Sequence, residues 1–165
     1  SCSSLTSVAL FDTSSVTRMA NMFMKSNKLT SVPLFDTSNA TNMYNMFNEC
    51  YKLVTIPLFN TSKVTNMSGM FAYCYDVESG ALALYQQAST QTNPPTNHTD
   101  TFDSCGEDTT TGAAELAQIP VGWGGTLVPA STLMTSKNVY QLLSKWMMLC
   151  YTLSYISIMF KARSS

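Results

Sequence analysis

Hydrophobic residues in the first half of the chain recur with a period of 24 residues. A shift by that length superimposes LTSVALFDTSSVTRMANMF on LTSVPLFDTSNATNMYNMF and on LVTIPLFNTSKVTNMSGMF. Leu5, Leu29 and Leu53 share a column, as do Phe11, Phe35 and Phe59, then Met19, Met43 and Met67, then Phe23, Phe47 and Phe71. A fixed period of roughly 20–29 residues headed by L-x-x-L-x-L marks a repeat whose coils each add a short strand to a parallel ladder. One coil cannot bury its apolar face alone. The pattern therefore predicts that Leu29, Val32 and Leu34 point inward, with Leu5, Val8, Leu10 and Leu53, Ile56, Leu58 stacked on either side. Val64, Met67, Met70 and Phe71 are spaced by three and four, which predicts a short helix closing the coil. Ser38 and Ser62, beside Thr37 and Thr61, stand where such a helix takes its N-cap. Pro33 and Pro57 each remove a backbone donor and so shorten the predicted strands.

The period fails after Cys74. YDVESGALALYQQAS reads as a helix over about residues 79–89, and an atypical terminal unit is what a solenoid needs to shield its last coil. TQTNPPTNHTDT reads as a loop, because its Pro pair forbids a helix. A second helical stretch at about 112–118 leads into IPVGWGG, a tight turn around Trp123. Farther on, Val139, Leu142, Trp146, Leu149, Leu153, Ile156 and Phe160 share one helical stripe. A helix packed on the cap and a coiled coil that makes a homo-oligomer both fit the stripe, and β-rich composition near Tyr151 to Ile158 leaves a strand pair as another reading. A membrane crossing is disfavoured: the apolar run from Trp146 to Phe160 falls short of ~20 residues, and Lys145 and Lys161 bracket it. The expected architecture is an α/β leucine-rich-repeat solenoid of about three 24-residue coils with a helical C-terminal cap. Its boundaries are 1–77 for the solenoid, 78–125 for a capping region with a helix and a Gly-rich turn, and 126–165 for an amphipathic helical segment.

Charge narrows the partners. Only 12% of residues are charged and the net charge is −1, so the surface offers no field for phosphate backbones or anionic membranes. Cys2, Cys50 and Cys74 fall in one repeat column with Ser26, which points to small buried side chains; a Cys50 to Cys74 bridge between coils is the alternative. Cys105 and Cys150 complete the five, and an odd number cannot all pair within one chain. The chain opens SCSSLTSV, without Met and in mid-repeat, so it reads as a piece or a processed product in which a signal peptide would not be visible.

Catalytic chemistry finds few candidates. His98 is the only histidine and lies in a Pro/Asn/Thr loop, where solvation explains it better than general-base work. With one His and dispersed Cys there is no zinc spacing, and GWGG lacks the Lys-Ser/Thr ending of a phosphate loop. Asp103, Glu107 and Asp108 are a small acidic cluster without the twelve-residue calcium-loop pattern. No cofactor and no metal is expected. Four sequons, at Asn39, Asn60, Asn66 and Asn97, would carry sugar only in a eukaryotic secretory route, and three of them are by-products of the Thr/Ser/Asn-rich repeat.

The string NATNMYNMFNECYKL, followed by FNTSKVTNMSGMFAYC, resembles the BspA-like leucine-rich-repeat surface proteins, whose repeat runs through F-D-T-S-x-V-T-x-M-x-x-M-F and then x-x-C. The likeness covers Cys2 to about Val77 and implies a bacterial surface, phage-encoded or protist surface protein used in adhesion or recognition. It names no ligand. The expected function is thus non-enzymatic binding of a protein or glycan on a host or neighbouring cell, with the molecule extracellular, on a cell surface or in a phage virion. A structural spacer or assembly element of a surface or virion fibre is the alternative. The candidate binding positions are columns: Ser7, Ser31 and Thr55 before the inward Val or Ile; Asp12, Asp36 and Asn60 at the turn; and Phe11, Phe35 and Phe59, for which burial in the core competes with an exposed aromatic row.

Overall fold

The structure, a computed structural model, describes residues 2–127, which lie in one compact unit. The stripe from Val139 to Phe160 falls outside the described residues.

The repeats build a solenoid, but its best-formed rungs lie where the spacing predicts helices. Over residues 19–26, Met22 N–H donates to the Met19 carbonyl at 3.3 Å, Met24 to Asn21 at 3.2 Å and Ser26 to Phe23 at 3.1 Å, three successive turns. The intervening N–H groups of Met19, Asn21, Phe23 and Lys25 point along the stack and donate to Asn42, Tyr44, Met46 and Asn48 of the next coil at 2.8–2.9 Å. The alternation recurs at 43–50, whose free donors reach Asn66, Ser68, Met70 and Ala72, and at 67–74, whose donors reach Asn97, Thr99, Thr101 and Asp103. In the second and third runs every backbone donor is used without an α-helix, with Tyr44 and Ser68 N–H donating to the Oδ1 of Asn42 and Asn66.

The turns require left-handed residues. Asn21, Asn45 and Gly69 have φ of 60°, 51° and 62° at the third position of the first turn. Lys25, Glu49 and Tyr73 repeat this at the last turn with 63°, 59° and 62°. A positive φ at that position is the demand of a type II turn, and it interrupts a right-handed helix every four residues. The predicted closing helix is therefore replaced by a turn ladder that keeps the same inward spacing. Among the described residues, the predicted strands keep a single parallel bridge, Thr55 with Ser79, and the continuous series of bridges, Arg18, Asn42, Asn66 and Asn97, lies instead just ahead of the turn runs.

The core is an aromatic column. Phe23, Phe47, Phe71 and Phe102 stack face to face, with centroids 5.3, 5.2 and 6.1 Å apart and planes within 4–11°. Phe35 and Phe59 pack against it at 5.6 and 5.8 Å, and Met19, Met43, Met46, Met67 and Met70 fill around it. Leu29 and Leu53 are fully buried and Ile56 nearly so. Leu10, Leu34 and Leu58, expected inside, are 66%, 59% and 52% exposed. In extended backbone, neighbours point to opposite sides, so Leu34 and Phe35 cannot both face the core, and the larger Phe takes it. In the third coil Phe59 N–H donates to Pro57 at 2.9 Å, a three-residue turn with Leu58 at its apex.

Each residue of F-D-T-S has its own task. Phe fills the core. Asp12, Asp36 and Asn60 accept the backbone N–H of Ser14, Ser38 and Ser62 through Oδ1 at 2.9, 2.9 and 3.0 Å. These side-chain turns leave the serines without a helix to cap, which corrects the N-cap expectation. Thr13 and Thr37 are buried and donate their hydroxyls to the carbonyls of Asp36 and Asn60 in the following coil at 2.8 and 2.9 Å.

The stack continues past residue 77. Residues 97–105, NHTDTFDSC, repeat the turn run of 66–74 at a spacing of 31: Phe102 and Cys105 follow Phe71 and Cys74, and Asp100 and Ser104 have φ of 55° and 53°. In place of the segment before it, the chain forms α1, Ala81–Thr90. Gln87 of α1 and Gln91 at its C-cap donate to the carbonyls of Phe59 and Thr61 at 2.6 and 2.9 Å, so these side chains satisfy groups that another coil would otherwise meet. A second helix, α2, Thr110–Leu116, is N-capped by Thr109, which accepts from Gly112 N–H at 3.0 Å. Glu115 of α2 accepts Leu82 N–H at 3.0 Å and Gly80 N–H at 3.4 Å, placing a carboxylate at the positive end of α1. A 3-10 turn, Val121–Trp123, closes the described unit with Trp123 buried. His98, expected in a solvated loop, stacks on Trp123 at 4.1 Å with planes within 5°, and its Nδ1 lies 3.2 Å from Gly122 O.

Candidate functional site

The polar columns stand on one wall of the solenoid. Ser7, Ser31 and Thr55 are exposed, and so are Asp12, Asp36 and Asn60. The phenylalanine column divides: Phe11 is 47% exposed, whereas Phe35 is 2% and Phe59 0% exposed. No aromatic row spans the three coils, because each later Phe is covered by the coil before it. The leucines that the repeat pattern assigned to the core instead form the apolar part of this wall. Leu10, Leu34 and Leu58 sit two positions before the turn residues, one per coil, and neighbouring coils of a parallel ladder lie ~4.8 Å apart. The result is a ridge of leucine bordered by a row of carboxylate, carboxylate and amide. Below Leu58 an open depression of about 420 Å³ is lined by Asn60, Ser62, Gln87 and Gln91. Sequence reasoning missed the ridge; the adjacency of a Leu and a Phe in extended chain was the signal available.

The acidic row is fixed by its own turns. The Ser14 hydroxyl donates to Asp12 Oδ1 at 2.7 Å in addition to the backbone bond, and these donors hold the Asp12 carboxyl below the usual range. Hydrogen bonds from Ser38 do the same for Asp36, opposed by desolvation and by the neighbouring Asp12 charge. A lowered folded value means that the unfolded chain binds these protons more readily. The stability they contribute is therefore complete above the ordinary carboxylate range and fades as pH falls through the lowered values. Thermal melts below about pH 4 are expected to steepen for the parent chain and to flatten for Asp12→Asn/Asp36→Asn, which keeps the acceptor as Asn60 does. Equal acid slopes for the two proteins would remove this role. Both carboxylates are fully exposed, so the effect is a small one.

Other polar groups on the solenoid are structural. Lys52 and Asp76 pair at 2.8 Å and Lys25 and Glu49 at 3.5 Å across neighbouring coils, exposed pairs of small value. Cys50 and Cys74 are buried free thiols that donate to the carbonyls of Phe23 and Phe47, each at 3.2 Å, and no bridge joins them. Burial pushes the Cys50 thiol up to about 12 and raises Cys74 and Cys105 as well. Thiolate is the reactive form, so these three are expected to resist alkylation by iodoacetamide in the folded chain while the exposed Cys2 reacts. Peptide mass mapping with and without denaturant checks this, and modification of Cys74 in the folded chain would contradict the packing described. Among the described residues, no group of three or more His, Cys, Asp or Glu side chains is placed to hold a metal ion. Among them also, no helix is long and apolar enough to cross a membrane.

Against known protein families, residues 2–107 match the model of DUF285, described as a Mycoplasma protein of unknown function. The match takes in the three regular coils and the fourth turn run through Cys105, more than half of the chain. The chain belongs to this family. No curated protein and no solved structure matches it.

Proposed function

Taking membership of that family as the premise, we propose that the chain is a leucine-rich-repeat surface module of the BspA-like kind, non-enzymatic, which binds a protein ligand on its leucine ridge outside the cell. One observation carries the reading: Leu10, Leu34 and Leu58 stand more than half exposed in three successive coils. Single exposed leucines need no explanation, but an aligned row kept at the repeat period is an apolar strip of the kind that marks an interaction surface. The polar border of Ser7, Ser31, Thr55, Asp12, Asp36 and Asn60 supplies the rim, with fixed acceptors for a partner's Lys or Arg. A glycan would find rigid polar groups here but little aromatic surface, since Phe35 and Phe59 are inside. Adhesion to a host or neighbouring cell is the role such a surface fits.

A binding screen against immobilised extracellular-matrix proteins and a glycan array tests this, with Leu10→Ser/Leu34→Ser/Leu58→Ser as the comparison. The triple variant should melt close to the parent and lose about tenfold in affinity per leucine, the equivalent of ~1.5 kcal/mol each. Binding to glycans alone, or protein binding that survives the triple variant, would sink the proposal.

A further inference from the structure

We propose that Tyr51, Tyr73 and Tyr75 form a second docking surface, independent of the leucine ridge, whose occupant is an arginine-bearing segment of a partner protein. The rings stand at the end of the turn runs 43–50 and 67–74 and just past it. Tyr51 and Tyr75 share a column and stack with centroids 5.5 Å apart, and Tyr73 tilts against Tyr75 at 6.2 Å. Tyr73 is 39% exposed and the other two are half-buried. The fold does not ask for these rings. The Tyr73 column holds Lys25 and Glu49 in the earlier coils, and the Tyr75 column begins with Asn27. Tyr73 also has φ of 62°, a conformation that bulky side chains rarely adopt.

Charge names the occupant. Residues 64–127 carry seven carboxylates and no Lys or Arg, whereas residues 2–63 carry five Lys and Arg against three carboxylates. Part of that excess lies beside the rings. Backbone hydrogen bonds tie Tyr73 to Asp103 at 2.8 Å and Asp108 to Tyr75 at 3.2 Å. The ion pairs among the described residues join Lys25 to Glu49 and Lys52 to Asp76, and none engages Asp103 or Asp108. The Tyr51 hydroxyl donates to Glu49 Oε2 at 2.8 Å, and the Asp103 charge raises the Tyr73 phenol. A phenol polarised by a carboxylate has a more electron-rich face, which favours a cation above it. Arginine suits both features at once, because its planar guanidinium stacks on an aromatic face and its N–H fork matches a carboxylate. A neutral glycan would use the rings and gain nothing from the charge imbalance.

The test is fluorescence anisotropy of the full chain with a labelled peptide of alternating Arg and Gly, beside Lys/Gly and Glu/Gly peptides of the same length. The Arg peptide is expected to bind most tightly, the Lys peptide more weakly and the Glu peptide not at all. Tyr73→Asn/Tyr75→Asn removes two rings without changing charge, and should weaken binding about tenfold. Asn accepts the left-handed backbone at 73 and already stands in the column of 75, so this variant keeps the fold. Asp103→Asn/Asp108→Asn, which is isosteric, should weaken binding by a similar factor and flatten its salt dependence. Leu10→Ser/Leu34→Ser/Leu58→Ser should bind the peptide as the parent does; a loss there would move the site to the ridge and overturn the proposal. Arg binding no tighter than Lys binding, or binding that survives the tyrosine variant, means general attraction to the acidic half and overturns it too. Salt-dependent dimerisation of the parent that the tyrosine variant abolishes, seen by light scattering, would seat a second copy on the patch with the same consequence.

Discussion

Phe47→Ala is expected to destabilise the chain by about 3–5 kcal/mol, the range for emptying a buried aromatic site. Phe47 is the most heavily shared ring in the column: it stacks on Phe23 at 5.3 Å and on Phe71 at 5.2 Å, and Phe59 packs on it at 5.8 Å. Its removal takes away burial and three ring contacts at once, and rigid turns on both sides limit collapse into the gap. Total stability of a small domain is only about 5–15 kcal/mol, so much of the population should be unfolded at 37 °C. Phe11→Ala is the internal control. That ring is nearly half exposed and pairs with one aromatic ring among the described residues, Phe35 at 5.0 Å, so a loss below about 1 kcal/mol is expected. Urea titrations followed by circular dichroism would report both values. Similar midpoints for the two variants would mean that the aromatic column is not what holds the coils together.

The period of the repeat was legible in the sequence because stacking needs the same residue at the same place in each coil. The local structure within the period was not. Met67, Met70 and Phe71 have the spacing of a helical stripe, and a ladder of three-residue steps directs the same positions inward, so hydrophobic spacing does not separate the two. Asn21, Asn45 and Gly69 carried the deciding hint, since Asn and Gly accept positive φ. Their partners Lys25, Glu49 and Tyr73 carried none: these residues adopt φ near 60° because the stack's hydrogen bonds impose it. The fourth turn run was hidden by the inserted helix and by His98 and Thr101 standing where Met67 and Met70 stand one coil earlier. A shift of 31 would have found it through Asn97, Phe102 and Cys105. At the candidate site, the Ser and Asp columns could be read from the repeat alone. The leucine ridge could not, since L-x-x-L-x-L assigns those leucines to the core.

Gly112→Ala is expected to release the cap, with a loss of about 3 kcal/mol at the upper end of what overpacking costs. Gly112 has ordinary helical backbone in α2, where alanine normally stabilises by about 1 kcal/mol, so propensity alone predicts a gain. Space reverses the sign. A Cβ at this position would lie 2.0 Å from the carbonyl oxygen of Val77, 2.6 Å from Thr109 Oγ1 and 2.7 Å from the Cα of Gly106. Two of those atoms are backbone, and Val77 O is also the acceptor of Thr109 Oγ1 at 2.7 Å, the bond that anchors the start of α2 to the third coil. The methyl group can be admitted only if α2 moves away from the solenoid. That movement would draw Glu115 from the start of α1 and loosen the cover over Cys105. Gly122→Ala, with nothing within 4 Å of the added carbon, should be near neutral. The readout that separates local release from global unfolding is thiol labelling in the native state. Cys105 should become reactive in Gly112→Ala while Cys50, packed beneath Phe23 O, stays protected. Equal protection of both thiols with an unchanged melting temperature would show that α2 can shift without cost, and that its contact with Val77 is not what seals the stack.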